Sequence, residues 1–403
     1  MLRPGHILAL CAIALLTIGV VMVNSALMKV SAVSAPGQPV SGITLQSVLQ
    51  SPQTLHMGLA LAAMVGAGFL PLRQIAGALE DRLSRLGLVP LIFGVLAMLC
   101  LLVLCYVPGL AKPANNSQRW IKLPLFGQMQ PSELVKWGFV AIMAWYASAR
   151  AALMPKFWVG LVPALAAVLI VAAGVAKEDL GTGVLIASTA CLVLIAGGAR
   201  LTHFLLFVPF AVAGVVGAIL TSPYRINRII SFIDPYADPQ GTGYHIIQSL
   251  VAISNGEVFG RGLGFGLQKL GFLPEDQTDF LFAVICEELG VAGALVIAAL
   301  FGGIVWSGMI IACREPSRLL RLFALGVIGT VGLQAIINLA VVTGLGPTKG
   351  IALPLVSAGG TGWIFTALCL GLVIAIDRSH AAATEPVRPA HTPARVPVEA
   401  LAV

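Results

Sequence analysis

FLFAVICEELGVAGALVIAALFGGIVWSGMII, residues Phe280–Ile311, carries only two charged side chains, Glu287 and Glu288. A spanning helix needs about 20 apolar residues, and this run exceeds that length. Working outward from it, nine further apolar runs appear: Ile7–Met28, Leu55–Leu72, Leu88–Val107, Leu134–Ser148, Trp158–Ala176, Leu180–Gly197, Phe204–Leu220, Leu322–Thr343 and Leu355–Ile376. The runs at Leu134 and Leu180 are short. Composition agrees with this pattern, since 58% of the 403 residues are hydrophobic and 10% are charged, against about 25% charged in ordinary soluble proteins. So few charges cannot cover a soluble surface. The sequence predicts an all-α polytopic membrane protein of about ten transmembrane helices, and it excludes soluble enzymes, secreted disulfide frameworks and nucleic-acid binders. The first run is too long for a removable signal peptide and lacks its cleavage site. The seven cysteines lie in or beside apolar runs without metal-type spacing, which makes them packing residues.

The formal net charge is +7. In a membrane protein this points to loops facing anionic lipid or an anionic substrate. The short basic clusters RLSR (Arg82–Arg85) and REPSRLLR (Arg314–Arg321) place one side in the cytoplasm by the positive-inside rule, and both termini with it. Residues 1–380 form the transmembrane unit. Its long outer loop, residues 222–278, separates the seventh and eighth spans. Within that loop Tyr244–Ile253 is apolar enough for about two or three helical turns that either lie along the membrane surface or re-enter it. Residues 381–403 carry four prolines and several alanines and read as a disordered cytoplasmic tail.

Ionisable residues near spans carry the functional reading, because each costs a few kcal/mol or more near the bilayer centre. Glu133 and Lys136, spaced i, i+3, either form a structural ion pair or face a cavity. Asp179, just before Leu180-Gly181-Thr182-Gly183, either caps a helix or faces the same cavity. Asp279 opens the eighth span, where it is either a dipole partner or a reactive carboxylate. Glu287 lies eight residues on, about 12 Å deeper along a straight helix, and the Glu287-Glu288 pair needs partners or water. Arg119-Trp120 is either an interfacial anchor or a grip for phosphate oxygens and a sugar face. Arg225, Arg228, Arg261 and Lys269 add basic character to the long loop. Five glycines in Gly256–Gly266 suit either close approach to a ligand or a flexible loop. Gly344–Thr361 has two prolines and five glycines, so it interrupts the helical pattern as a broken span or cavity wall.

These segments together resemble the SEDS family (shape, elongation, division, sporulation). The resemblance is carried by Arg119-Trp120-Ile121, Gln130-Pro131-Ser132-Glu133-Leu134-Val135-Lys136, Asp179-Leu180-Gly181-Thr182-Gly183 and Gly243-Tyr244…Gln248-Ser249. It continues through Leu273-Pro274-Glu275…Thr278-Asp279-Phe280, Glu287-Glu288-Leu289-Gly290 and Pro347-Thr348-Lys349-Gly350…Ser357-Ala358-Gly359-Gly360. Asp234-Pro235…Asp238-Pro239, Gln268-Lys269-Leu270 and Pro347-Thr348-Lys349-Gly350 look more like the division branch than the elongation branch. The chain departs from the family pattern at Ala358 (usually tyrosine), Thr361 (often serine), Gln277 (often histidine) and Lys177-Glu178 (usually Gln-Pro).

The resemblance implies a peptidoglycan glycosyltransferase that polymerises lipid II, with undecaprenyl pyrophosphate as the leaving group. Asp279 matches the family's essential aspartate and takes the general-base or acceptor-orienting role. Arg119 and Trp120 would hold the donor, with Arg261 or Lys269 helping at the pyrophosphate. Glu133, Lys136, Asp179 and Ser357 complete the substrate-facing set. A divalent cation, Mg or Mn, is an optional cofactor with no ligand spacing in the sequence. The implied partners are a class B penicillin-binding protein transpeptidase and other division proteins. The implied location is the inner membrane at the division septum, with the active site extracytoplasmic. A lipid II flippase or transporter remains the alternative, because broken spans and intramembrane charges serve transport too.

Overall fold

The computed structural model describes residues 3–27, 45–114, 117–123, 127–348 and 350–384. Helix α1 (Pro4–Ala26) is followed by a short α2 (Leu45–Leu49), and then by α3 (Pro52–Gly68) and α4 (Leu72–Ser84), which bends 72° away from α3. α5 (Val89–Val103) leads into a three-stranded antiparallel sheet of β1 (Ala111–Ala114), β2 (Ser117–Leu123) and β3 (Gly127–Met129), in that order. Four helices follow: α6 (Pro131–Ala149), α7 (Val162–Ala176), α8 (Leu180–Ala196) and α9 (Leu201–Leu220). The long outer segment contributes α10 (Pro223–Ile233) and α11 (Tyr244–Asn255), and the chain closes with α12 (Leu281–Arg314), α13 (Arg318–Val342) and α14 (Thr361–Thr384).

Every one of the ten apolar runs is occupied by a helix. Among the described residues seven helices are long and apolar enough to cross a membrane, or eight if the bent α3–α4 pair counts as one span. α6 and α8 fall outside that count. α6 opens on Glu133 and Lys136, and α8 has only 17 residues. Prolines at the first turn of α1, α3, α5, α6, α7 and α10 start those helices where a missing N–H costs nothing.

Two apolar clusters hold the bundle. One joins α1, α12, α13 and α14; the other joins α5, α6, α7 and α8, with Leu322 of α13 reaching into it. α9 stands apart: Phe204 is its single buried residue. The sheet was expected as loop. Its apolar anchors are Ile121 and Met129, opposite each other across β2 and β3, which bury against Cys105 and partly buried Leu134 and Phe365. That contact seats Arg119 and Trp120 on a strand beside the start of α6.

The eighth span differs most from its sequence reading. Gly290 adopts φ 68° and ψ −166°, so α12 is two helical pieces meeting at a break. The break lies beyond Glu287 and Glu288, which end the first piece, and Asp279 precedes that piece in the turn leading into it. The backbone at the break is met by the glycine-rich loop: Arg261 N donates to Glu287 O and Gly262 N to Glu288 O, both at 3.0 Å, and Val291 N donates to Glu257 O at 3.0 Å. A Cβ on Gly260 would run into the Glu288 carbonyl. The loop's glycines thus serve close approach to the chain's own helix. At the far end, α14 runs through residues 381–384 of the expected tail; residues 385–403, the rest of it, lie outside the described residues.

Candidate active site

Asp179 occupies the N-cap of α8. Its Oδ1 accepts hydrogen bonds from the backbone N–H groups of Gly181 (3.0 Å) and Thr182 (3.1 Å), and its Oδ2 accepts one from Thr182 Oγ1 at 3.0 Å. Oδ2 also accepts from Arg119 Nη1 at 3.4 Å. Asp179 therefore caps the helix, as one of its readings expects, and pairs with Arg119; the cleft it lines includes neither Glu133 nor Lys136. A cleft beside the pair is lined by Tyr106, Arg119, Gln130, Ser132, Glu178 and Asp179. Tyr106 closes its rim by donating to Glu178 Oε1 at 2.5 Å. Within the cleft, Arg119 Nε and Ser132 Oγ are buried with no hydrogen-bond partner among the described residues.

Asp279 sits in the turn that enters α12 and is half-buried. Its backbone carbonyl accepts from Asn338 Nδ2 at 2.8 Å, and the same amide donates to Ile351 O at 2.7 Å. A Cβ on Gly350 would collide with Asp279 Oδ2. Only glycine lets the 344–360 segment lie against that carboxylate. Burial pushes the Asp279 carboxyl up to about 7; the negative charges of Glu275 and Asp179 add to the rise, and the guanidinium groups of Arg228 and Arg119 oppose it. Five charged groups from four parts of the chain therefore share one field. Because the shift is upward from 3.8, the buried acid lowers the fold's stability as pH rises through that interval and leaves it untouched below it.

Arg228, on α10, reaches the broken segment near Asp279, donating to Thr348 O at 2.9 Å and to the Tyr224 hydroxyl. His245, in the first turn of α11, stacks on Phe280 with ring centroids 5.8 Å apart. Burial and then Arg228 hold its imidazole below the usual histidine value, against Glu275.

Glu133 and Lys136 form the anticipated ion pair, at 2.8 Å, with Lys136 buried. Lys136 Nζ also donates to Gln334 Oε1 at 2.9 Å, and Gln334 Nε2 donates to Ala352 O at 2.8 Å. The pair thus ties α6 through α13 to the broken segment, and Gly362 at the start of α14 lies against Glu133. Trp120 is half-buried on β2, opposite Lys112. Ser357 serves its own turn: Oγ accepts from Leu353 N at 3.0 Å, and its carbonyl accepts from Trp363 Nε1 at 2.7 Å.

Two expected phosphate ligands stand elsewhere. Lys269 is buried in an ion pair with Glu288 at 2.6 Å, because the loop carrying it folds onto α12 instead of facing outward. Arg261 is exposed on that same loop, with its backbone bound to Glu287. Lys349 lies outside the described residues. Arg228, with Arg119, is a cation that the fold does bring into the field of Asp279. Asn338 and Gln334 were not singled out in the sequence, yet two amides four residues apart on an apolar helix are a legible sign of a polar stripe facing protein. As to a divalent cation, no group of three or more His, Cys, Asp or Glu side chains among the described residues is arranged to hold one. The donor set does not fit a metal site, and no step below passes through one.

The FtsW/RodA/SpoVE family model, described as cell cycle protein, matches residues 6–382. Stage V sporulation protein E of Bacillus subtilis is 40% identical over 282 residues, covering 69% of this chain and 76% of that protein. A protein of Alkalilimnicola ehrlichii named probable peptidoglycan glycosyltransferase FtsW is 38% identical, covering 96% of this chain and 92% of its own length. Among solved structures, a chain described under "Structural coordination of polymerization and crosslinking by a peptidoglycan synthase complex" has a TM-score of 0.68 and 27% identity, with 93% of this chain and 97% of that one covered. The rod shape determining protein RodA of Thermus thermophilus shares the fold, with a TM-score of 0.60, 24% identity and 93% and 96% coverage. The helical runs, the break in α12 and the charged groups around Asp279 therefore belong to a chain of the FtsW/RodA/SpoVE (SEDS) family.

Proposed function

We propose that the chain is a peptidoglycan glycosyltransferase that polymerises lipid II, with Asp279 as the base of the transfer. The observation that carries this reading is a carboxyl laid against Gly350 of the broken segment, which burial pushes up to about 7 with Glu275, Asp179, Arg119 and Arg228 in its field. A base poised near the working pH is partly ionised and can accept a proton. The names of relatives at this level of identity support the same activity.

In this reaction the 4-hydroxyl of the acceptor GlcNAc attacks the anomeric carbon of the donor MurNAc. The new C–O bond forms as the bond to the lipid pyrophosphate breaks, with inversion to a β-1,4 linkage. The hydroxyl proton passes to Asp279, and the electron pair of the broken bond leaves on the pyrophosphate. Arg119 meets that developing charge, with Nη1 on Asp179 and a buried Nε that has no partner among the described residues. Arg228 supplies a second cation. Trp120 follows Arg119 on β2 and so leaves the opposite face of the sheet, where a sugar face can pack, and the Glu133–Lys136 pair braces the broken segment through Gln334. Arg261 and Lys269 have no part in phosphate binding in this scheme.

The short basic loops favour cytoplasmic termini and an extracytoplasmic crevice, and the division-like segments favour the septum of the inner membrane. A class B penicillin-binding protein is the proposed partner, supported by the description of the solved synthase complex, together with other division proteins. The test is a lipid II polymerisation assay on purified protein, with and without that transpeptidase. Glycan strands formed in the absence of any other polymerase are the expected result. Lipid II movement across vesicles without strand formation under either condition would overturn the reading in favour of a flippase.

A further inference from the structure

Asp279 lies ten residues after Lys269 and nine before Glu288. Those two residues meet in an ion pair with Nζ and Oε1 2.6 Å apart and side chains 1% and 0% exposed. The chain between them is therefore a closed loop with Asp279 near its midpoint. Its neck is reinforced on three sides. Ser25, one residue before the end of α1, places its hydroxyl 2.7 and 2.8 Å from the two Glu288 oxygens and 2.8 Å from Lys269 Nζ. Gly264 N donates to Glu288 Oε2 at 3.0 Å. The neighbouring Glu287, also fully buried, accepts from Leu267 N at 2.9 Å and from Gln268 N at 3.1 Å.

Such a neck is poor value as a source of stability alone. A buried ion pair is commonly no more stabilising than an apolar pair of the same volume, and the role best attested for it is to fix one register. Here the register matters. The segment 270–280 consists mainly of turns with no helix or strand of its own. Beyond its neck, the described anchors of this segment include Asn338 on the Asp279 carbonyl and the backbone bond from Ala358 N to Gln277 O at 2.9 Å. Moving a reacting group by about 1 Å can cost about 100-fold in rate.

We propose that the Lys269–Glu288 ion pair is a clasp that fixes Asp279 against the broken segment 344–360, so that Lys269 and Glu288 are positioning residues for the transfer. The inference rests on the assignment of Asp279 as base. It assigns the charge on Lys269 to an internal partner, where the family resemblance pointed to the leaving pyrophosphate.

The test compares purified Lys269→Met, Lys269→Arg and Asp279→Asn in lipid II polymerisation, with kcat and KM measured separately and the melting temperature followed alongside. The clasp predicts that Lys269→Met lowers kcat at least about tenfold while KM for lipid II stays within about twofold, and that Lys269→Arg restores most of the loss. Loss of a phosphate ligand would instead appear chiefly in KM. If Lys269→Met does not fold, the double variant Lys269→Met/Glu288→Gln removes the unpaired buried charge and is read in the same way. Wild-type kcat in a folded clasp variant, with Asp279→Asn inactive, overturns the clasp and leaves the base assignment standing. Wild-type activity in Asp279→Asn overturns the base assignment, and the clasp with it.

Discussion

Two carboxylate groups flank the same short helix, and they are treated in opposite ways. Glu287 and Glu288 are fully buried, and the described contacts account for them with a lysine, a hydroxyl and three backbone N–H groups. Asp279, at the other end, is half-buried among two acids and two arginines from distant parts of the chain. The first arrangement spends its charge on internal partners and has nothing left for a ligand. The second leaves a proton-accepting group poised, with cations nearby whose hydrogen-bonding capacity is incompletely used. Burial and hydrogen-bond saturation thus separate charges spent on internal partners from charges left available, even when nine residues divide them.

The contrast can be broken most severely at Asp279. Replacing it with Asn keeps the shape and removes the base, and polymerisation of lipid II should fall by about 100- to 10,000-fold, while the melting temperature near neutral pH rises because the destabilising buried carboxylate is gone. Arg119→Ala should come next. One electrostatic donor to a leaving group is commonly worth about 100-fold or more in kcat, and the loss should appear with the melting temperature lowered far less. The third change sharpens the structural side. Gly290 sits in a region of backbone space essentially reserved for glycine, so Gly290→Ala should cost about 1–3 kcal/mol, read as a lower melting temperature in detergent. The mildest is Glu275→Gln. Its negative charge raises the Asp279 pKa, so removing it should shift the ascending limb of the rate–pH profile to lower pH and leave the plateau rate alone.

Much of the helical scaffold was legible because hydrophobicity dominates it: each apolar run of the sequence contains a helix, and the stretch Tyr244–Ile253 falls inside α11. Asp279, Asp179 and the Glu133–Lys136 pair were legible for a related reason. Charges at the mouths of apolar helices are costly enough to mark themselves. What escaped was decided by contacts distant in sequence. The sheet depends on Ile121 and Met129 meeting Cys105, and no local periodicity announces it. The Gly290 break is invisible because the sequence is equally apolar on both sides, while residues 257–262 supply the partners that permit it. Lys269 and Arg228 look alike as basic residues in one outer segment. Only the folding of residues 256–269 onto α12 sends the first inward, and only α10 aims the second at Thr348.

The central claim is that the Asp279 carboxylate accepts the proton of the attacking hydroxyl, and the pH dependence of turnover tests it most directly. Purified protein polymerising lipid II should show a rate that climbs with pH as Asp279 loses its proton, with a midpoint at about 7, and Asp279→Asn should lack that limb. A limb that persists unchanged in Asp279→Asn would contradict the account.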